Sequence, residues 1–234
     1  MTQYQYGDYI ITFLSRQRIT MAKSSTKQQN QRPSGHIRII SGQWRGRKLP
    51  VKDVIGLRPT TDRIKETVFN WLSPYVRGSH CLDLFAGSGG LIFEALSRYA
   101  DSGLLFEKDA GAAAQLQQNI DLLKADNAQL VRGDTLKLLT KVPAQTYDMV
   151  FIDPPFRQDL LEDCCAKLEQ YNWLSADAVI YIEREKELNQ VKLPANWTIL
   201  KDKQAGQVCF ELYQRKAIVS TTSISTIKIT TKAE

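Results

Sequence analysis

The sequence predicts an α/β fold in which a doubly wound, mostly parallel sheet carries a C-terminal antiparallel hairpin and a small, basic N-terminal β-hairpin. From residue 81 onward, short apolar runs alternate with segments of helical periodicity, which is typical of a parallel sheet built from βαβ units. The run Tyr147–Ile152 is almost continuously apolar, as in a strand covered on both faces. The last two predicted strands are joined by a loop containing Gly206 and no helix, so we expect them to pair antiparallel.

Length and composition are those of an ordinary globular protein. The chain has 234 residues, of which 43% are hydrophobic and 24% charged, enough for one sizeable domain with appendages. No apolar run approaches the roughly 20 residues of a membrane span, and the apolar residues 9–14 lack the flanks of a secretory signal. Four cysteines without C-x-x-C spacing and two histidines disfavour zinc sites and disulfide scaffolds. We therefore expect no metal, reduced thiols and a cytoplasmic location, with Met21 as an alternative start.

The positive charge is concentrated near the N-terminus. Residues 1–60 contain eleven Lys and Arg against two acids, a net charge of +9, whereas the remaining 174 residues hold 20 bases and 23 acids, a net of −3. A basic segment joined to a near-neutral domain is typical of a protein with a polyanionic partner. A solvated basic tail is the alternative interpretation.

The first 60 residues divide into a tail and an arm. Residues 1–35 are rich in Gln, Ser, Thr and Lys and show no helical or strand period, so we expect them to be mostly disordered. In the arm, residues 36–60, the segments His36–Ile40 and Arg45–Leu49 flank a turn at Ser41-Gly42 and predict a β-hairpin.

The main domain is predicted over residues 61–215, and residues 216–234 form a C-terminal tail or a stray edge strand. The domain begins with a helix over 61–73 that Thr61 or Asp62 can cap and that Pro74 is expected to stop. The strands predicted after it are Cys81–Ala86, Leu104–Phe106, Ala128–Val131, Tyr147–Ile152, Ala178–Ile182, Trp197–Leu200 and Val208–Tyr213.

Acidic residues end three successive predicted strands. Asp83 precedes the loop Gly87-Ser88-Gly89-Gly90, Glu107 follows 24 residues after Asp83, and Asp134 a further 27 residues on. The glycines let a ligand approach the main chain, Glu107 can accept hydrogen bonds from ribose hydroxyls, and Asp134 can accept from an adenine amino group. Together these features predict a site for S-adenosylmethionine rather than NAD. The third glycine of the dinucleotide-binding motif G-x-G-x-x-G would fall at Ile92. Taken singly, each has a plainer interpretation as a tight turn, a surface acid or a helix N-cap.

The fourth strand leads into the most specific motif, Asp153-Pro154-Pro155-Phe156. Two prolines without N–H groups make this turn stiff and rich in acceptors. The Asp153 carboxylate and the Pro154 carbonyl can each accept one hydrogen of an exocyclic NH2 group, which points the nitrogen lone pair at a methyl donor. Phe156 can stack on the target base. A proline-rich strand terminator is the plain interpretation.

Four stretches carry a resemblance to a known family: Ile37–Leu49, Leu57–Arg63, Phe85–Gly89 and Asp153–Phe156. On these residues the chain resembles the Rossmann-like SAM-dependent methyltransferases, and among them the bacterial enzymes that methylate guanine N2 in 16S ribosomal RNA. The similarity runs from about residue 35 to residue 215.

The resemblance implies a cofactor, a substrate and a set of site residues. It implies S-adenosyl-L-methionine as cofactor and guanine N2 of small-subunit ribosomal RNA, on assembling small-subunit particles, as the methyl acceptor. The implied cofactor residues are Asp83, Phe85, Gly87, Gly89, Glu107 and Asp134. The implied residues at the target base are Asp153, Pro154, Pro155 and Phe156.

The basic arm then becomes a candidate RNA-binding element. The candidate RNA-binding residues are Arg38, Trp44, Arg45, Arg47, Lys48, Arg58 and Arg63. Basic side chains can bind phosphates, and Trp44 can stack on an unpaired base. Alternatively, Trp44 packs on the core, and Arg58 and Arg63 pair with acids of the domain. We expect a monomer that binds small-subunit ribosomal RNA or a pre-assembled small subunit, and no membrane.

Two other functions stay open on the residues alone. An adenine-N6 DNA methyltransferase shares the D-P-P-F motif, although so short a chain has no large target-recognition insertion. A non-catalytic RNA-binding ribosome-assembly factor could retain the same fold. The intact acids and D-P-P-F favour an enzyme over that factor, and a nicotinamide dehydrogenase ranks behind both.

Overall fold

The computed structural model describes residues 3–6, 9–12, 35–52, 62–188 and 190–217, and the chain divides into two units, residues 1–32 and 33–234. In the first unit, β1 (Gln3–Tyr6) pairs antiparallel with β2 (Tyr9–Thr12). This pairing differs from the expected lack of structure, because Tyr and Ile favour strands even in a short polar context. The expectation of disorder for the other residues up to 34 lies outside the described residues.

The second unit contains the arm and the main domain. Its elements in chain order are β3 (Gly35–Arg38), β4 (Lys48–Val51), α1 (Asp62–Val76), β5 (His80–Asp83), α2 (Gly90–Ser97), β6 (Ser102–Glu107), α3 (Ala110–Leu123), β7 (Ala128–Arg132), α4 (Thr135–Leu138), β8 (Tyr147–Ile152), α5 (Leu161–Gln170), β9 (Leu174–Glu185), β10 (Trp197–Ala205) and β11 (Val208–Arg215).

The main domain is built on a seven-stranded sheet with the order β10-β11-β9-β8-β5-β6-β7. Strands β5 to β9 run parallel, and β11 and β10 complete the sheet as an antiparallel hairpin. The predicted fold class is therefore confirmed. Strand order reverses between β5 and β8, and ligands of such sheets bind beyond the carboxyl ends of the strands at this switch point.

Residues 39–47 make the arm different from the predicted hairpin. β3 and β4 pair with Ile37 opposite Leu49, so the strands are shorter and the connection longer than expected. The cause is tertiary, because the backbone of residues 40–44 binds α2. The backbone N–H groups of Ile40 and Ser41 donate to the Glu94 carboxylate at 2.7 and 3.0 Å. Gly42 has a φ of 81°, and a side chain there would overlap the Ser97 carbonyl, so this turn requires glycine.

Three helices differ from the expectation. α1 continues through Pro74 to Val76; proline in the last turn removes only one intrahelical bond, that of its own missing N–H, so the predicted stop was wrong. Asp62 is the first helical residue, and Thr61 lies outside the described residues. α4 and α5 were not among the predicted elements, although the buried residues of α5 follow a helical spacing: Leu161, Cys164, Cys165 and Leu168.

The two faces of the sheet are both covered. One face packs against α1, α2, α3 and the arm, and we call it the arm face; Phe151 and Tyr181 belong to its core. The opposite face packs against α5 and α4, and we call it the α5 face; Ile152 and Ile182 belong to its core. Alternation along each strand therefore decides which side chains share a compartment. No helix in the described ranges combines the length and apolar character that a membrane crossing requires.

Candidate active site

Asp83 and Asp153 converge at the switch point of the sheet. Asp83 ends β5 and pairs across the ladder with Phe151 of β8, two residues before Asp153. Cys81 and Phe151 pack on the arm face, so the side chain of Asp83, two residues after Cys81 in β5, points to that face as well. Asp153 follows β8 two residues after Phe151. Burial raises the pKa of Asp153 well above its usual range, and the charges of Glu183 and Asp83 raise it further. The two aspartates therefore share one electrostatic environment.

Asp83 is almost completely buried, with 3% of its surface exposed. Burial raises the pKa of Asp83 to about 7, the charge of Glu107 adds to the rise, and the N–H of Phe85, which donates to Oδ1 at 3.2 Å, opposes it. In the described part of the chain, Asp83 takes part in no ion pair. A buried carboxylate with this surplus of negative charge suits a cationic ligand group.

The glycine loop between β5 and α2 is held by Glu107. The N–H of Gly87 donates to one Glu107 oxygen at 2.9 Å, and the N–H of Asp109 donates to the other at 2.7 Å. Gly87 and Gly89 have φ values of 50° and 79°, and a side chain at Gly89 would overlap the ring of Phe93. Each Glu107 oxygen keeps a second lone pair, so the carboxylate can still accept from two hydroxyls.

Asp134 follows β7 and caps α4. One oxygen accepts from the N–H of Lys137 at 3.3 Å, and the other forms an ion pair with Lys108 at 3.0 Å. The hydrogen bond from Lys108 holds the pKa of Asp134 below its usual range. Asp134 is therefore an N-cap, as in the plainer interpretation. Its role toward an adenine stays a prediction. Phe85, from the predicted cofactor set, is half-buried against the core of the α5 face.

These groups fit S-adenosylmethionine. Glu107 offers acceptors for a ribose diol beside the left-handed glycines, and Asp83 offers a buried anionic partner for a cationic group. α2 begins at Gly90 without a side-chain cap, so its first N–H groups face the loop. The donor and acceptor set therefore matches a nucleoside with a charged amino-acid end.

The D-P-P-F motif forms the loop after β8. Asp153 and Pro154 are half-buried, whereas Phe156 has 47% of its surface exposed and can offer a ring face to a ligand. Two further residues of this loop, Arg157 and Asp159, have positive φ values of 61° and 50°, a strained conformation that clusters at functional sites. The Arg157 N–H donates to the Glu185 carboxylate, so the end of β9 fixes the loop.

Sequence reasoning missed Glu183, Tyr181 and Glu185. Glu183 is 8% exposed, and its Oε2 accepts from the Tyr181 hydroxyl at 3.0 Å. Its charge acts on Asp153 across the parallel pair β8 and β9. The signal was present: Glu183 directly follows the predicted strand Ala178–Ile182, as Asp153 follows Tyr147–Ile152.

The candidate RNA-binding residues of the arm lie on its surface. Arg38 and Lys48 are opposite each other in the ladder, and both are exposed, as is Arg45. Trp44 is half-buried against the core of the arm face, and its backbone N–H donates to Ser97 Oγ at 3.0 Å. The alternative interpretation of Trp44, packing on the core, therefore agrees with the structure, although part of the residue stays accessible.

The tip of the arm is distant from the strand ends. Arg47 donates to the carbonyl of Leu122, in the last turn of α3, at 3.3 Å. α3 starts beside Glu107 and has 14 residues, which at 1.5 Å per residue is a length of about 21 Å. Arg63 is exposed in the first turn of α1, and Arg58 lies outside the described residues.

The fold and these strand ends together define a class of protein. A doubly wound sheet whose switch point carries a glycine loop, ribose-type acceptors and an acidic diproline turn is a Rossmann-like methyltransferase. Structural comparison agrees on the fold: a solved structure from Streptococcus mutans, only 16% identical, superposes with a TM-score of 0.56.

Comparison with known proteins then gives the family. The family described as Conserved hypothetical protein 95 matches residues 37–214. Ribosomal RNA small subunit methyltransferase D of Escherichia coli (strain K12) is 51% identical over 191 residues, which cover 82% of this chain and 96% of that protein. The protein of that name from Haemophilus influenzae is 48% identical, over 80% of this chain and 98% of its own. The solved structure of yhhF from Escherichia coli is 51% identical, with a TM-score of 0.72, over 78% of this chain and 99% of that one. The chain therefore belongs to the Conserved hypothetical protein 95 family, together with these methyltransferase D proteins, and the predicted resemblance is confirmed.

Proposed function

We propose that this protein transfers a methyl group from S-adenosylmethionine to the exocyclic N2 amine of a guanine in small-subunit ribosomal RNA, on assembling small-subunit particles. The observation that carries the proposal is the convergence of Asp83 and Asp153 at the switch point of the sheet, close enough for the charge of one to raise the pKa of the other. The names of the relatives support ribosomal RNA as the substrate class.

Asp153 and Pro154 act on the amine. S-adenosylmethionine, when bound, supplies an electrophilic methyl group on a sulfonium. The Asp153 carboxylate and the Pro154 carbonyl each accept one N–H of the amine, which keeps the lone pair free to attack. As the N–C bond forms, the bond between the methyl carbon and the sulfonium sulfur breaks and one N–H proton leaves. The Asp153 carboxylate accepts that N–H and so lies where the proton departs.

Phe156 and the arm act on the rest of the RNA. A guanine must leave its stack to reach the half-buried Asp153, and the exposed Phe156 ring can stack on it. Arg38, Lys48 and Arg45 are exposed on the arm and can bind phosphates away from the target base. α3, about 21 Å long, separates the tip of the arm from the strand ends. An RNA that contacts both therefore extends well beyond one nucleotide.

The test is methyl transfer from labelled S-adenosylmethionine, with naked small-subunit ribosomal RNA, small-subunit particles and duplex DNA in parallel. We expect label on guanine N2, with the highest rate on particles. Label on adenine N6 of DNA would support the rival enzyme instead. Cofactor binding without any incorporation would support the non-catalytic assembly factor.

The matched variants are Asp153→Ala and Asp177→Ala. Asp153→Ala removes an acceptor at the reacting nitrogen, so we expect turnover to fall about 100- to 1000-fold while the Kd for S-adenosylmethionine changes less than about threefold. Asp177 is an exposed residue of β9, and its replacement is expected to leave both quantities unchanged. An Asp153→Ala variant that keeps most of its turnover contradicts the proposed role.

A further inference from the structure

Glu183 stands beside Asp153 at the edge of the site. β8 and β9 run parallel with Ile152 opposite Ile182, at the spacing of about 4.8 Å between adjacent strands. Asp153 directly follows Ile152 at the end of β8, and Glu183 directly follows Ile182 in β9. Tyr181 packs on the arm face, and Glu183, two residues further along β9, points to that face as well. The two carboxylates therefore flank the space where the target amine would be held.

The Glu183 carboxylate is oriented by a rigid neighbour. Tyr181 is completely buried, and its ring lies edge-on to Phe151 with centroids 6.3 Å apart. The Tyr181 hydroxyl donates to Glu183 Oε2, and this is the one side-chain hydrogen bond that the Glu183 carboxylate makes within the described ranges. No buried side-chain oxygen or nitrogen among the residues described lacks a partner, so Oε1 is not sealed in the core. One oxygen is thus fixed, and the other is available to a ligand.

The acceptor chemistry of a carboxylate distinguishes guanine from adenine. Guanine presents two neighbouring donors on its Watson–Crick edge, the N1–H and the N2 amine. Adenine presents its N6 amine beside N1, which is an acceptor and repels a carboxylate oxygen. A second carboxylate next to the one that holds the amine therefore selects guanine, because it pairs with N1–H and leaves an unpaired charge against adenine.

We propose that Glu183 selects guanine as the methyl acceptor by accepting the N1–H of the target base, while Tyr181 positions its carboxylate. This inference rests on the proposed function and names the residue that sets its base specificity. It also explains why two carboxylates are buried side by side, since the donors of a guanine edge give both a partner.

The test compares guanine with 2,6-diaminopurine at the methylated position. This analogue keeps the 2-amino group that is methylated but carries an acceptor at N1 in place of the N1–H. Small-subunit RNA with either base at the mapped position is made by ligation, reconstituted into particles and methylated by the full chain. We expect the wild type to prefer guanine roughly 10⁴-fold in kcat/KM, as sites built around a substrate hydrogen bond do.

Glu183→Gln is the diagnostic variant. Its amide can donate to an N1 acceptor as well as accept from an N1–H, so we expect the preference for guanine to fall to within about threefold. Tyr181→Phe releases the carboxylate from its hydrogen bond, and we expect an intermediate preference. Glu187→Gln, an exposed residue just beyond β9, is the matched control and should keep the wild-type preference.

The outcomes separate this inference from the proposed function. A wild type that methylates both bases equally, or a Glu183→Gln variant that slows both bases by the same factor, overturns the assignment of Glu183 but leaves guanine methylation in place. A wild type that puts no label on guanine overturns both. A general loss of folding cannot imitate the expected result, because it lowers both rates and leaves their ratio unchanged.

Discussion

Two buried glutamates of this protein have opposite surroundings. Glu94, in α2, is completely buried, and its carboxylate accepts from the N–H groups of Ile40 and Ser41 and from Arg98 Nε at 2.8 Å. Glu183, at the end of β9, is nearly as buried, yet the side-chain donor on it is one neutral hydroxyl and its charged neighbour is Asp153. Burial alone therefore does not distinguish these two acids.

The difference lies in the donors. Glu94 receives a cation and two backbone N–H groups, which offset the cost of removing its charge from water and attach the arm to the domain. Burial raises the pKa of Glu183, and only the Tyr181 hydrogen bond opposes this. A carboxylate left short of donors in the folded protein gains most from a ligand that brings them.

The largest expected effect is a loss of stability when Glu94 is replaced. Glu94→Gln leaves Arg98 without its charge partner and sets an amide against a backbone N–H, so we expect a loss of about 3–5 kcal/mol in the free energy of unfolding. Glu183→Gln removes a poorly paired charge and should change it by no more than about 1 kcal/mol. Urea unfolding of both variants at pH 7.5 measures the two losses. Equal losses would show that the different hydrogen-bond donors on Glu94 and Glu183 do not decide how much each carboxylate contributes to stability.

The next largest effect is the pH dependence of the free energy of unfolding that Asp83 causes. Its folded-state pKa is raised to about 7 from an ordinary 3.8, so the folded protein holds this proton more tightly than the unfolded chain. The associated stability is complete below about pH 4 and is lost as the pH rises through about 7. We expect a decline on the order of 2–3 kcal/mol between pH 5 and pH 8. Asp83→Asn should flatten it in urea titrations of the cofactor-free protein, and an unchanged pH slope in that variant would contradict the assignment.

The smallest expected effect is on the salt dependence of RNA binding by the arm. Arg38 and Lys48 are exposed and opposite each other, so each can neutralise one RNA phosphate. Replacing either by Ala should reduce the slope of log K against log salt by about 0.7 to 0.9. RNA-binding titrations between 50 and 200 mM salt, with Lys201→Ala on exposed β10 as control, measure this slope. Slopes identical to that of the wild type would remove these residues from the RNA interface.

Much of the site follows from local sequence patterns. The bounds of β8 agree with prediction, the C-terminal hairpin pairs as expected, and Asp83, Glu107 and Asp153 end or directly follow their strands. These features are local, because a buried strand is continuously apolar and stops where a polar residue meets the ligand-binding edge.

Other features were missed for physical reasons. The arm forms the predicted hairpin with shorter strands because Glu94 and Ser97, more than fifty residues away, bind the backbone of residues 40–44. Pro74 did not end α1, since the last turn tolerates one lost hydrogen bond. Local sequence does not single out Glu183, because the strand order that makes β9 the neighbour of β8 is a tertiary property.

The sequence by itself determined the elements, the acids at their ends and the basic character of the arm, because periodicity, turn chemistry and charge are properties of neighbouring residues. The tertiary structure alone decided which acids meet. Strand order placed Glu183 beside Asp153 and alternation turned Glu183 toward the face of Asp83, whereas Glu94 was set against the backbone of the arm. Partnership between distant groups depends on how the sheet is assembled, and it is this partnership that separates the carboxylate that attaches the arm from the carboxylates we propose for the substrate.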